Sequence, residues 1–307
     1  MIKETPLSVI FQCFFCKWIA MISKLIPATA LLLTCSFFDC AYSAPTSQYE
    51  GVCKLSDIDK SSRKHKKHFP GLVNNPLITY PMRALMAPYI IPIDSPLKPI
   101  LDSIFSVSRA TQNRQTFAEA GFVILFSQES SYIVVAKHSE LPDYIFKVYL
   151  DSELRIKKKR PGWFWLKSRC EGAKRAKRLI TKGKIKHFVV PDKWIYPLPI
   201  EPISEGPSPQ PIILIEPDMH LVKYTETVEA WKTVVTTDHL DELYYLLSNG
   251  AGSNFLPANI PYTKDGKFAL IDTEYPKRKI NLHKVTRHLS DEMQAYWEHL
   301  IKTNGKG

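Results

Sequence analysis

Residues 253–274, SNFLPANIPYTKDGKFALIDTE, set an Asn and an Asp thirteen positions apart on either side of a turn. The turn is Lys264-Asp265-Gly266-Lys267, where Asp and Gly supply the residue types that a tight reversal favours. Short apolar runs flank it, around Ile260 and over Phe268–Ile271, so the segment reads as a small hairpin carrying Asn259 and Asp272. Taken alone, the stretch is a polar turn in which Asn259 caps and Asp272 pairs with a neighbour. What precedes it decides whether it is more.

From Gly121 the chain alternates in the manner of β-strands: Phe122–Ser127, Tyr132–Lys137 and Tyr144–Tyr149, separated by the turn segments QESS and HSELPD. Three such runs in succession predict an antiparallel meander, which needs a second layer to cover it. Leu166, Cys170, Ala173, Ala176 and Ile180 then recur at helical spacing, with Gly183 as a stop signal. HFVVPDKWIYPLP and PIILIEPDMHLV follow as two further strands. Val228–Val235 and Leu240–Leu247 read as helices, as does Ser290–Lys302 with Met293, Trp297, Leu300 and Ile301 on one side.

This order, together with four polar positions, resembles the protein-kinase-like family over roughly residues 120–275. The resemblance implies an α+β, two-lobed protein-kinase-like fold: an antiparallel small-lobe sheet with one helix, then a short helical C-terminal lobe. It implies that Lys147 in YIFKVYL is the nucleotide-binding lysine and that Glu171, in RCEGAKRAKRL, is its ion-pair partner. Glu171 also stands within reach of Lys174 and Arg175 at i+3 and i+4. IILIEPDMHL becomes the strand entering the hinge. Asn259 and Asp272 become the metal ligands, hard-oxygen donors suited to Mg²⁺ bridging the phosphates of ATP.

The same register departs from the family where catalysis is concerned. Asn254 takes the place of the catalytic Asp, and an amide cannot accept a hydroxyl proton as a carboxylate does. The first strand turn, FSQESSYIV, contains no glycine, and only 35 residues follow Asp272. Thr273 and Glu274 stand after the metal Asp, Glu274 reading first as a surface salt-bridge residue and second as an added carboxylate. These features predict a divergent, minimal member, either weakly transferring or a pseudokinase scaffold. The alternative is a non-catalytic basic interaction module of unrelated α+β fold, in which Lys147, Glu171, Asn259 and Asp272 are scattered.

The remaining sequence sets the context. Of 307 residues, 1–43 read as a signal peptide or membrane anchor: Lys17 and Lys24 precede an apolar run, and Ala41-Tyr-Ser43 is a small-x-small cleavage pattern. The protein is then exported, or held at a membrane through that segment alone. Residues 44–110 form a Pro-rich and basic arm that packs on the domain, extended except for a short helix over Pro99–Val107, followed by the small lobe at 111–222 and the truncated large lobe at 223–307. Only Cys53 and Cys170 lie outside the targeting segment, which excludes a disulfide framework. Of the net charge of +11, the densest block spans 155–186, with fourteen Lys/Arg against Glu171 alone. It reads as a solvated helix face or as a surface for an acidic protein or anionic surface, and no specific nucleic-acid motif accompanies it.

Overall fold

The structure, a computed structural model, describes residues 72, 75–128, 132–153 and 160–305. The targeting segment, Cys53, the tip of the first strand turn and the start of the basic block lie outside these residues. The chain forms α1 (Tyr80–Met86), α2 (Leu97–Val107), α3 (Arg114–Glu119), β1 (Phe122–Gln128), β2 (Ile133–His138), β3 (Leu141–Val148), α4 (Gly162–Gly183), β4 (Phe188–Val189), β5 (Trp194–Pro197) and β6 (Ile212–Pro217). Then come α5 (Tyr224–Thr233), α6 (Thr237–Ser248), the single turn α7 (Leu256–Asn259), β7 (Phe268–Ala269) and α8 (Asp291–Thr303). The fold is mixed α+β, with a five-stranded antiparallel sheet in the order β1-β2-β3-β6-β5.

Strand alternation sorts this sheet into two faces. Val134, Ala136, Phe146, Val148, Tyr196, Ile213 and Ile215 point to one side, where Leu97, Leu101 and Phe105 of α2 and Phe117 of α3 meet them. Ile133, Ile195, Ile212 and Leu214 point to the other, against Trp165, Leu166 and Cys170 of α4. The sheet is therefore covered on both faces over β3, β5 and β6, while Val123, Leu125 and Phe126 of β1 stay exposed. The arm is less extended than expected, because α1 forms at Tyr80–Met86 in addition to the expected helix. Its helix begins at Leu97, slightly before the expected Pro99, and Leu97, Leu101 and Phe105 recur every four residues to make one apolar stripe for the sheet. A further contact joins them, as the Ile91 N–H donates to Ile195 O at 2.9 Å.

The segment HFVVPDKWIYPLP forms two strands instead of one. Phe188–Val189 pairs in parallel with β7, while Trp194–Pro197 joins the main sheet, and the break falls around Pro191, which has no N–H to give a ladder. Phe188 thereby enters a separate apolar cluster with Trp231, Leu243, Phe268 and Trp297, built by α5, α6 and α8. Ser290 caps α8 by accepting the Met293 N–H, and Met293, Trp297 and Leu300 are buried as their spacing predicts. Cys170 is a buried free thiol whose pKa burial pushes up to about 12. No helix among the described residues is long and apolar enough to cross a membrane.

Candidate functional site

The hairpin of residues 259–271 forms, with the Ile271 N–H donating to Asn259 O at 3.1 Å, Ala269 N–H to Pro261 O at 2.8 Å and Thr263 N–H to Lys267 O at 2.8 Å. Gly266, at φ +81°, closes the turn in the left-handed region that favours glycine. Asn259, the last residue of α7, and Asp272, just past the returning arm of the hairpin, consequently come side by side and line one cleft, together with Asn254 and Lys147. This cleft, about 1330 Å³, lies beside the α4-side face of the sheet. Its apolar lining includes Leu125 and Phe126, neighbours in sequence that both reach it because a bulge in β1 leaves Leu125 unpaired against β2.

At the cleft floor the strand register brings charges together. Lys147 lies opposite Leu214 and Ile145 opposite Glu216, so Lys147 and Glu216 are diagonal neighbours on one face. The Lys147 ammonium pairs with Glu216 at 2.7 Å and donates to Ile271 O at 2.9 Å. Lys193, fully buried ahead of β5, pairs with the other oxygen of Glu216 and also donates to Ile271 O, at 2.8 Å. One carboxylate thus holds two ammoniums, and one carbonyl on the entry to Asp272 receives both.

The helix supplies a cation in place of the expected acid. Counting 100° per residue along α4, Trp165, Leu166, Arg169, Cys170, Ala173 and Ala176 share the buried stripe, and Glu171 falls on the opposite side. Glu171 accordingly pairs with Lys167 one turn back at 2.6 Å and does not line the cleft, so the Lys147–Glu171 pair is corrected to Lys147–Glu216. Arg169 enters instead, its Nε 3.5 Å from Asp272 Oδ1 and its Nη2 3.2 Å from Glu274 Oε2. Glu274 is 5% exposed, which corrects its reading as a surface residue. The close approach needs Gly172: a Cβ there would stand 2.1 Å from the Thr273 carbonyl oxygen. The Thr273 hydroxyl also donates to Arg169 O at 2.6 Å, fixing helix and strand end together.

Electrostatics follow from this packing. Burial pushes Glu216 up, but Lys147 and Lys193 prevail and hold it below the ordinary carboxylate range. Burial pulls Lys193 down to about 8 against the attraction of Glu216. Asp272 is raised by burial and lowered more by Arg169, Lys147 and Lys193, ending below its ordinary value. Three cationic and three carboxylate side chains balance within the cluster.

A divalent cation at Asn259 and Asp272, which the resemblance implies, does not suit this donor set. Asp272 Oδ1 faces the guanidinium and accepts the Glu274 N–H at 3.2 Å, Glu274 is bound to Arg169, and Asn259, whose Nδ2 donates to Ser253 Oγ at 2.9 Å, would add only a neutral Oδ1. Among the described residues no three His, Cys, Asp or Glu side chains gather as metal ligands. Asn254 uses its amide to donate to Asn281 O at 3.1 Å. Away from the cleft, Lys174, Lys177, Arg178 and Lys182 of α4 share a shallow basic patch.

Sequence reasoning missed Arg169, Lys193 and Glu216. Each carried a signal: a charged residue at a position that the helical or strand period assigns to the interior.

No protein-family model and no curated protein matches the chain. Among solved structures, the MAP kinase LmaMPK10 from Leishmania major is similar over 54% of this chain and 51% of its own, at 14% identity and a TM-score of 0.27. The likeness thus spans about half the length of each chain, and at that score it does not bear on the assignment of the site.

Proposed function

We propose that the protein is a divergent, protein-kinase-like pseudokinase whose cleft binds a nucleoside triphosphate such as ATP without transferring its phosphate. The observation that carries this reading is the convergence of Lys147, Asn259 and Asp272 on one cleft through a sheet and a hairpin. The β1–β6 sheet with α4 plays the part of the small lobe, and α5–α8 that of a trimmed large lobe. Lys147 offers a cation for phosphate, and the bulged β1 offers apolar side chains for a base. Export, expected from residues 1–43, together with Asn254 in place of the catalytic Asp, favours a pseudokinase over turnover, because phosphotransfer requires a supply of the donor. The basic face of α4, which a docking-module reading would use for an acidic partner, shares no residue with the cleft and is compatible with this function.

ATP should raise the melting temperature of the mature chain, since a ligand bound only by the native state stabilises it by about 2.7 kcal/mol at a hundred times its Kd. Lys147→Ala should abolish that shift while remaining folded, because Lys193 still neutralises Glu216. Absence of a shift for the wild type at saturating ATP overturns the reading.

Asn254→Asp tests the missing base. Its amide serves the Asn281 carbonyl as a donor, and a carboxylate there would meet that carbonyl with no proton to give. The variant is expected to gain no autophosphorylation and to lose roughly 1 kcal/mol of stability with the hydrogen bond. Incorporation of labelled phosphate from ATP into Asn254→Asp would show that the carboxylate alone restores transfer.

A further inference from the structure

Building on the nucleotide reading above, we propose that Arg169 takes the place of the divalent cation, so that the cleft binds a nucleotide polyphosphate independently of magnesium. In a metal-dependent site a cation separates the acidic side chains from the phosphates and neutralises both. Here the guanidinium lies against both acids, its Nε toward Asp272 and its Nη2 toward Glu274. Guanidinium is a planar fork of donors that stays charged at every relevant pH, and it suits two carboxylates at once. Its position is not that of a wandering surface side chain. Arg169 is 5% exposed, sits on the buried stripe of α4, and is held by the Thr273 hydroxyl bond to its own carbonyl and by the contact that Gly172 allows.

The charge arrangement is an exchange of partners across the cleft. The carboxylate that pairs with Lys147 comes from β6 as Glu216, which relieves the helix of that task, and the helix contributes a cation to Asp272. Lys147 then remains as the cation offered to the phosphates, with Asp272 and Glu274 sharing the Arg169 guanidinium behind it. An added dication would have to displace Arg169, leaving a buried guanidinium without its carboxylates. Arg169 is a positioning and screening residue in this account, and no chemical step is assigned to it.

Calorimetric titration with ATP in excess EDTA and in excess MgCl2 tests the idea. The two dissociation constants should agree within about threefold, and tighter binding in magnesium by about tenfold or more overturns the inference while leaving the nucleotide reading intact. No binding in either buffer overturns both. A second readout needs no nucleotide: Mn²⁺ titrated alone and followed by electron paramagnetic resonance. Arg169→Met, shown to be folded by its circular dichroism, should bind Mn²⁺ at least about tenfold more tightly than the wild type, because two carboxylates lose their cation. Arg169→Lys, which keeps the charge, should bind it as weakly as the wild type does. If Arg169→Met leaves Mn²⁺ binding unchanged, the guanidinium is not what keeps the metal out and the inference fails.

Discussion

Glu216→Gln is expected to destabilise the fold by about 3–5 kcal/mol, the range for breaking a buried ion pair by removing one partner. That corresponds to a fall of roughly 10 °C in melting temperature for a domain of this size. The magnitude follows from Glu216 serving two ammoniums, those of Lys147 and Lys193, in a position 3% exposed. Gln keeps the shape and removes the charge, so the loss is electrostatic and not a cavity.

Two pH signatures separate this account from a packing defect. Burial already holds Lys193 at about 8, and Glu216 is what opposes it, so without Glu216 the folded value falls further below the ordinary 10.5. A base whose folded pKa is lowered binds fewer protons when folded than unfolded, and stability therefore rises with pH across that interval. The penalty of Glu216→Gln should shrink as chemical denaturation is moved from neutral pH to about pH 8, above which variant and wild type gain stability alike. At the acid end the wild type shows the same sign: the lowered pKa of Glu216 contributes stability that is present above its ordinary 4.5 and lost as pH falls through the folded value. The variant should lack that acid limb. Adding Lys193→Met to Glu216→Gln should recover part of the stability, because an apolar side chain needs no partner in that interior. A pH-independent penalty, unrelieved by the second substitution, would sink the explanation.

Much of the sheet and its covering helix is visible in the sequence because period-2 and period-3.6 patterns leave traces that do not depend on tertiary partners. β1 and β2 fall within one residue of their expected bounds, and β3 extends further toward its N-terminus, from Leu141. The hairpin is legible for the same reason, since Asp265-Gly266 specifies a turn locally. The partners of the charged residues are not legible in that way. Lys147 and Glu216 belong to strands 69 positions apart, and only the sheet register decides that they meet. Glu171 drew attention as the sole acid in a basic block, yet the helical period sets it on the outer face, where Lys167 is its neighbour. The same period places Arg169 inside. An arginine in an apolar stripe is the anomaly that identifies the site, and charge counting alone passes over it. The prolines of the arm do limit helix length, yet they leave α2 the three-point stripe by which the arm packs on the sheet.

Gly172→Ala is expected to have the second large effect, and to act on the cleft without touching any ligand. The new Cβ would lie 2.1 Å from the Thr273 carbonyl oxygen and 2.9 Å from its Cβ, and backbone cannot rotate away as a side-chain tip can. Ala improves intrinsic helix propensity over Gly by about 1 kcal/mol. Overpacking of this kind costs roughly 1–3 kcal/mol and occasionally more, so a backbone clash at the upper end of that range, relieved by moving α4 outward, leaves a net loss of up to about 2 kcal/mol. That movement would draw Arg169 from Asp272 and Glu274, because Arg169 lies one turn before Gly172 and its carbonyl is bonded to the Thr273 hydroxyl. Nucleotide affinity in EDTA should therefore fall by about tenfold or more, and part of it should return on adding magnesium, as the two carboxylates become available. Gly183→Ala is the matched control on the same helix. Its Cβ would meet the Tyr245 ring at 2.9 Å, a side chain that can turn aside, so stability and affinity should stay near wild type. If Gly172→Ala melts earlier but binds ATP with unchanged affinity and unchanged magnesium response, the contact at Thr273 stabilises the fold without setting the Arg169 geometry.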